Sequence, residues 1–161
     1  MIPPRIAQWM PLIRPIAEHY KVDPLLLAAV VDRESLGGEA LTPKGPTGTG
    51  DHGHGRGLSQ LDDRSHPFTG CTDDTGKALW KDPWLNLSYG CRLLARLIGD
   101  FSGDEAAALA AYNAGAGRVR RVLTILPLDA PLADRLRAVD SVTTGKDYAS
   151  DVPRRRDAFT S

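Results

Sequence analysis

Apolar residues recur at helical spacing along most of the chain, and nowhere do they alternate convincingly as a half-buried strand requires. Leu12, Ile13, Ile16, Ala17 and Tyr20 form a first stripe, with Pro11 and Pro15 predicting a helix that starts late or is kinked early. Residues 1–10 read as a loosely ordered lead-in. The next element is PLLLAAVVDRES. Asp23 is its expected N-cap and Pro24 its first residue, where a missing N–H costs nothing. Leu25 to Val31 are apolar on every side, so this helix should be buried. Gly37 and Gly38 are expected to end it.

The pattern then breaks. Residues 37–57 are rich in glycine and contain Pro43 and Pro46, which predicts an irregular segment; a short strand pair inside it stays open. A loop that long in a compact domain tends to be functional. Asp82 and Pro83 open a long helix with Leu87, Cys91, Leu94 and Ile98 on one stripe. Ser102 to Glu105 has the form of a capping box ahead of AAALAAYN. Gly115 and Gly117 separate that helix from RVRRVLTIL. Residues 127–140 read as a loop with a helical turn or two, and a last helix near Lys146–Phe159 is bent or delayed by Pro153. The expected fold class is all-α, with little or no strand and no internal repeat.

At 161 residues the chain is read as one domain, 1–161, large enough to bury a core without staples. Lys plus Arg and Asp plus Glu both number 20, so no global field draws nucleic acid or anionic membrane. No apolar run approaches the roughly 20 residues of a membrane span. MIPPRIAQWMPLIRP lacks the layout of a signal peptide. The chain is therefore expected to be unexported as written, a processed domain, or released by another route. Cys71 and Cys91 have no zinc spacing. They form either one disulfide across a long loop, the reading slightly favoured, or two small apolar residues.

Glu34 follows Val30 and Val31 at helical spacing, which puts its carboxylate on the buried stripe. Poor solvation disfavours the charged form, so its pKa is expected to rise, as a general acid near neutral pH requires. The alternative is a last-turn residue facing solvent beside Arg33. Asp51 and Asp62 flank HGHGRGLSQL, whose glycines allow both to approach one cleft as hydrated bases. The alternative for these is turn capping. One acid and one base in unlike surroundings are what glycoside hydrolysis needs. Two other patterns carry little. Gly48-Thr-Gly50-Asp-His-Gly53 matches a dinucleotide fingerprint, but it follows a helix and opens none. His52 and His54 have no third ligand at helical spacing, so no metal is expected; His19 and His66, taken alone, read as surface and loop residues.

Three segments, RES…GDHGHGRGLSQLDDRSH, AAYNAGAGRVR and TTGKDYASDV, resemble in order the signatures of goose-type lysozymes. More distantly they resemble the catalytic domain of soluble lytic transglycosylases. The likeness covers about residues 12–158. It implies Glu34 as general acid, and Asp51 and Asp62 as the acidic residues that position and activate water. Ser35, Gln60, His66, Tyr112, Asn113 and Tyr148 fall on cleft-lining positions implied to contact sugar or orient Glu34. It also implies a peptidoglycan substrate and no cofactor or metal. The sequence departs from the pattern in three places. GLSQL lacks the usual Met, TPKGPTG lengthens the loop before Asp51, and residues 126–138 look inserted.

The expected function is thus an inverting muramidase that cuts the β-1,4 bond between N-acetylmuramic acid and N-acetylglucosamine, its carboxyl groups about 6.5–9.5 Å apart. Asp62, in the tighter turn, is expected to matter more than Asp51. The rivals are a lytic transglycosylase using Glu34 alone and a non-catalytic glycan-binding module. The expected partner is the peptidoglycan glycan strand, with no nucleic acid and no membrane insertion. The protein is expected to be a monomer acting at the bacterial wall after lysis, from a virion or after processing.

Overall fold

The computed structural model describes residues 1–127 and 129–160. The chain forms two compact units, one of residues 1–92 with 156 onward and one of residues 93–155.

The first unit opens with helix α1 (Pro4–Ala7) and helix α2 (Met10–Tyr20). The lead-in is therefore ordered, contrary to expectation. Ile6 is fully buried, and Arg5 grips the buried Asp32 with Nε 2.7 Å from Oδ1 and Nη2 3.3 Å from Oδ2. A charge taken out of water needs such a partner, and here a one-turn helix supplies it. Pro15 lies within α2 without ending it, and Ile13, Ile16 and Ala17 bury the predicted stripe.

Helix α3 (Pro24–Ser35) is capped by Asp23, which accepts from Leu25 N at 2.9 Å. Leu26 to Val31 are buried without a break, which a helix apolar on every side must be. The helix stops on Leu36, which takes the left-handed cap conformation (φ 49) that glycine was expected to supply. Gly37 follows in a tight turn at φ 63, and a Cβ on it would stand 2.1 Å from the Arg5 carbonyl oxygen. The Trp9 indole N–H donates to Gly37 O at 2.8 Å, so lead-in and helix end are joined through main chain.

The glycine-rich segment holds a small antiparallel sheet of β1 (Thr49–Gly50), β2 (Gly55–Arg56) and β3 (Leu61–Asp62), in the order β1-β2-β3. Thr49 pairs with Arg56, and Gly55 with Asp62. The TPKGPTG stretch closes on itself at its base, where Thr42 and Thr49 exchange N–H···O bonds of 3.1 and 3.0 Å. Its added length is therefore taken up before β1 begins.

Helix α4 (Pro83–Asp100) starts where Asp82 and Pro83 predict, with Asp82 Oδ1 accepting from Leu85 N at 3.1 Å. Leu87, Cys91 and Leu94 are fully buried on its stripe. The disulfide reading fails, because Cys71 and Cys91 are both free thiols. Cys91 faces the core, where burial pushes its thiol up to about 12. Cys71 is exposed, beyond a turn at Pro67–Gly70.

The second unit is helical. Asp104, not Ser102, caps helix α5 (Glu105–Ala114), accepting from Ala107 N at 3.0 Å. Ala107 to Ala111 are buried. Helix α6 (Ala116–Thr124) buries Val119. The stretch read as a loop holds a full helix, α7 (Leu132–Asp140), tied to the α5 cap by the Arg135–Asp104 pair at 3.0 Å. Leu128, inside the expected insertion, lies outside the described residues. Helix α8 (Tyr148–Thr160) contains Pro153. Its start is held by Asp140, which accepts from Ala149 N and Ser150 Oγ, both at 2.7 Å. The fold is mainly helical with one small sheet, and no described helix is long and apolar enough to cross a membrane.

Candidate active site

Glu34 stands in the last turn of α3, half-buried, beside a fully buried Ser35. The Ser35 hydroxyl donates to Val31 O (3.1 Å) and to Leu58 O (2.9 Å). The first bond belongs to the helix and the second reaches the GLSQ turn. Ser35 has no surface to offer a sugar, so of its two expected roles only the orienting one is compatible with its burial. It fixes the backbone of Glu34 against the segment that leads to Asp62.

That segment is fastened from a second side. Asn86, fully buried on α4, accepts from Ser59 N at 2.9 Å and donates to Arg56 O at 3.0 Å. Gly57, at φ 66, admits the Asn86 amide where a Cβ would stand 2.5 Å from its Nδ2. Gln60, half-buried at φ 47, donates from Nε2 to Gly57 O at 2.8 Å. Its Oε1 lies where a Cβ on Gly50 or Gly55 would come within 2.2 Å. The two glycines of the β1–β2 pair thus make the floor on which the Gln60 amide rests.

Asp51 and Asp62 are brought together by a residue the sequence reading passed over. Arg64 Nη2 lies 3.1 Å from Asp51 Oδ2 and 2.7 Å from Asp62 Oδ2. Arg64 Nε and backbone N also donate to Asp62 Oδ1, at 2.9 and 2.8 Å. The Arg64 side chain beside it holds the Asp62 carboxyl down at about 2, from 3.8. The side chain of Asp51 is 60% exposed and that of Asp62 36%. Both are therefore hydrated. Asp51 and His52 are consecutive non-glycine residues at positive φ (45 and 53).

Asp63 points elsewhere. It pairs with His54 Nδ1 at 2.9 Å and Arg56 Nη2 at 2.6 Å, which hold its carboxyl below the usual range. His66 packs edge-on against Tyr89 with ring centres 5.6 Å apart, and Phe68 stacks on the same tyrosine at 4.7 Å. Tyr112, Asn113 and Tyr148 belong to the second unit. Asn113 Oδ1 accepts from Thr144 N at 2.7 Å, while Tyr148 N donates to Thr143 Oγ1 at 3.3 Å, so one turn gathers both. Tyr148 is buried and Tyr112 and Asn113 are half-buried. Arg64 and Asn86 were the missed residues. The only sequence signal for Arg64 was a cation two places after Asp62, and for Asn86 there was a lone amide among the apolar positions of α4.

The chain is similar to known proteins along most of its length. The profile of the Transglycosylase SLT domain matches residues 11–125. The lysozyme g of Casuarius casuarius is 31% identical over 153 residues, covering 89% of this chain and 68% of the relative. That of Dromaius novaehollandiae is also 31% identical, with 62% of its length covered. That of Takifugu rubripes is 30% identical over 98% of this chain and 76% of its own. Among solved structures, an inactive mutant of the lytic transglycosylase Slt from Pseudomonas aeruginosa has the same fold. Its TM-score is 0.72 at 21% identity, over 91% of this chain and 23% of that one.

Proposed function

The chain belongs to the transglycosylase SLT family, with goose-type lysozymes among its relatives, and from that premise we propose that it is a peptidoglycan hydrolase. In this reading it cuts the β-1,4 bond between N-acetylmuramic acid and N-acetylglucosamine. Glu34 gives its proton to the leaving O4. Asp51 and Asp62 hold a water on the opposite face of the sugar, which inverts the configuration at C1. Tyr112 and Tyr148 support Glu34 or the oxocarbenium-like state, and Gln60 and His66 meet the glycan. The protein works as a monomer, without cofactor, on glycan strands of the bacterial wall.

The observation that carries this reading is the pairing of Asp51 and Asp62 on one guanidinium. Asp51 follows β1 and Asp62 ends β3, and the turn between β2 and β3 is bonded to Ser35, the neighbour of Glu34. A binding module has no need of two carboxylates gathered on one guanidinium in a segment tied to the turn of Glu34. Glu34→Gln tests it, since it keeps the shape and removes the transferable proton. A folded variant that clears wall suspensions slower by about 10² or more is expected. Near wild-type clearing would sink the assignment.

The family profile favours one other reading, that of a lytic transglycosylase. There the muramic C6 hydroxyl attacks C1 and the products end in 1,6-anhydro sugars. Mass spectrometry after borohydride separates the two, because only reducing ends take up hydrogen. Reducible ends are expected.

A further inference from the structure

We propose that Arg64 is the positioning residue that makes Asp51 and Asp62 one working unit, and that Asp51 Oδ1 is the atom that takes the proton of the attacking water. The inference rests on the hydrolase reading and assigns its parts. Asp62 has both oxygens engaged by Arg64, Oδ1 by the backbone N and Nε and Oδ2 by Nη2. Asp51 meets the same guanidinium through Oδ2 alone, and among the described residues nothing donates to its Oδ1. The carboxylate with an oxygen that Arg64 leaves unengaged is Asp51, on a side chain 60% exposed. Asp62 is the post to which Arg64 is tied.

Two further features point the same way. Asp51 and His52 both occupy the left-handed region, at φ 45 and 53, which side-chain-bearing residues adopt rarely and seldom in succession. Such a conformation persists where the surroundings impose it, and here the turn is closed by His54 N donating to Asp51 O at 3.0 Å. Secondly, two carboxylates that share a site repel, and one would ordinarily keep a proton. A guanidinium is charged at every working pH and its Nη2 meets both groups, so it removes that obstacle.

The step balances as follows. The C1–O4 bond breaks as O4 takes the proton of Glu34. Water oxygen bonds to C1 from the opposite face, and its proton passes to Asp51 Oδ1. Solvent then returns one proton to Glu34 and removes one from Asp51. When Asp51 is not held, the C6 hydroxyl bonds to C1 instead and its proton leaves through Glu34. Arg64 therefore sets which acceptor wins.

The test is the ratio of reducible to 1,6-anhydro ends in digests of purified sacculi by the whole protein. Arg64→Ala should lower that ratio about tenfold or more, since general-base catalysis contributes at least that much. Arg64→Lys should restore part of it, as a cation without the fork. Asp51→Asn should lower the ratio more than Asp62→Asn, reversing the order that turn tightness suggests. The Arg64 side chain is 57% exposed, so these variants should keep wild-type circular dichroism. Reducible wild-type ends with an unchanged ratio in Arg64→Ala overturn the inference alone, as does Asp62→Asn proving the more damaging. A wild-type digest of anhydro ends only overturns the hydrolase reading with it.

Discussion

The helix turn that carries Glu34 is held by what packs around it, whereas the turn that carries Asp51 and the strand that carries Asp62 are held by charge and by main chain. Behind Glu34 lie Leu26 to Val31, all buried, and a turn whose Gly37 touches the backbone of Arg5. Around Asp51 and Asp62 are half-exposed ion pairs and two glycines that leave room for an amide. Packing fixes a side chain whatever the solvent holds, while exposed ion pairs yield to salt and acid. Glu34 is thus set in a rigid seat, and Asp51 and Asp62 in one that the medium can tune.

The same methyl group added on each side gives the largest test of that contrast. Gly37→Ala puts a Cβ against the Arg5 carbonyl in a left-handed residue. Overpacking and backbone strain together should cost about 3 kcal/mol or more in urea unfolding. Gly55→Ala meets only the Gln60 side-chain amide, which can swing away. Its stability loss should be about 1 kcal/mol or less, with the effect falling on substrate KM. Equal stability losses would erase the distinction.

Ser35→Ala comes next, because it cuts the tie between the two regions. It leaves the buried Leu58 carbonyl without the Ser35 donor and should cost roughly 1–3 kcal/mol. Lytic kcat should fall while the fold survives. Unaltered kcat would mean that Glu34 keeps its place without that tie.

The smallest effect is that of pH. The Asp62 carboxyl is depressed in the folded protein, from 3.8 to about 2. Its contribution is therefore complete above about pH 4 and is lost as pH falls through about 2. Asp63 is depressed too and acts in the same direction. Melting temperature should drop over that window in the wild type and less steeply in Arg64→Ala. Parallel curves would show that the Arg64 pair contributes nothing to the folded state.

Much of the packed region was legible in the sequence, and the reason is local. Asp23 with Pro24, and Asp82 with Pro83, specify helix starts through their own side chains and ring. Continuous apolar residues specify burial. The departures arise where distant residues decide. The lead-in is ordered because Asp32 needs Arg5, and Leu36 rather than a glycine takes the left-handed cap. The strands are two residues each, too short for alternation to register. Helix α7 hid in a polar stretch that an ion pair joins to the α5 cap. The Arg64 clamp joins residues thirteen apart in sequence that only the sheet register brings close.

Asn86 gives the sheet one more property. Its side chain bonds Ser59 N and Arg56 O, which are main-chain atoms. The anchor therefore does not depend on which side chains the anchored segment bears, provided that Gly57 stays small. The turn between β2 and β3 is thus pegged through its backbone, and a side-chain substitution at Ser59 leaves both bonds of the peg in place.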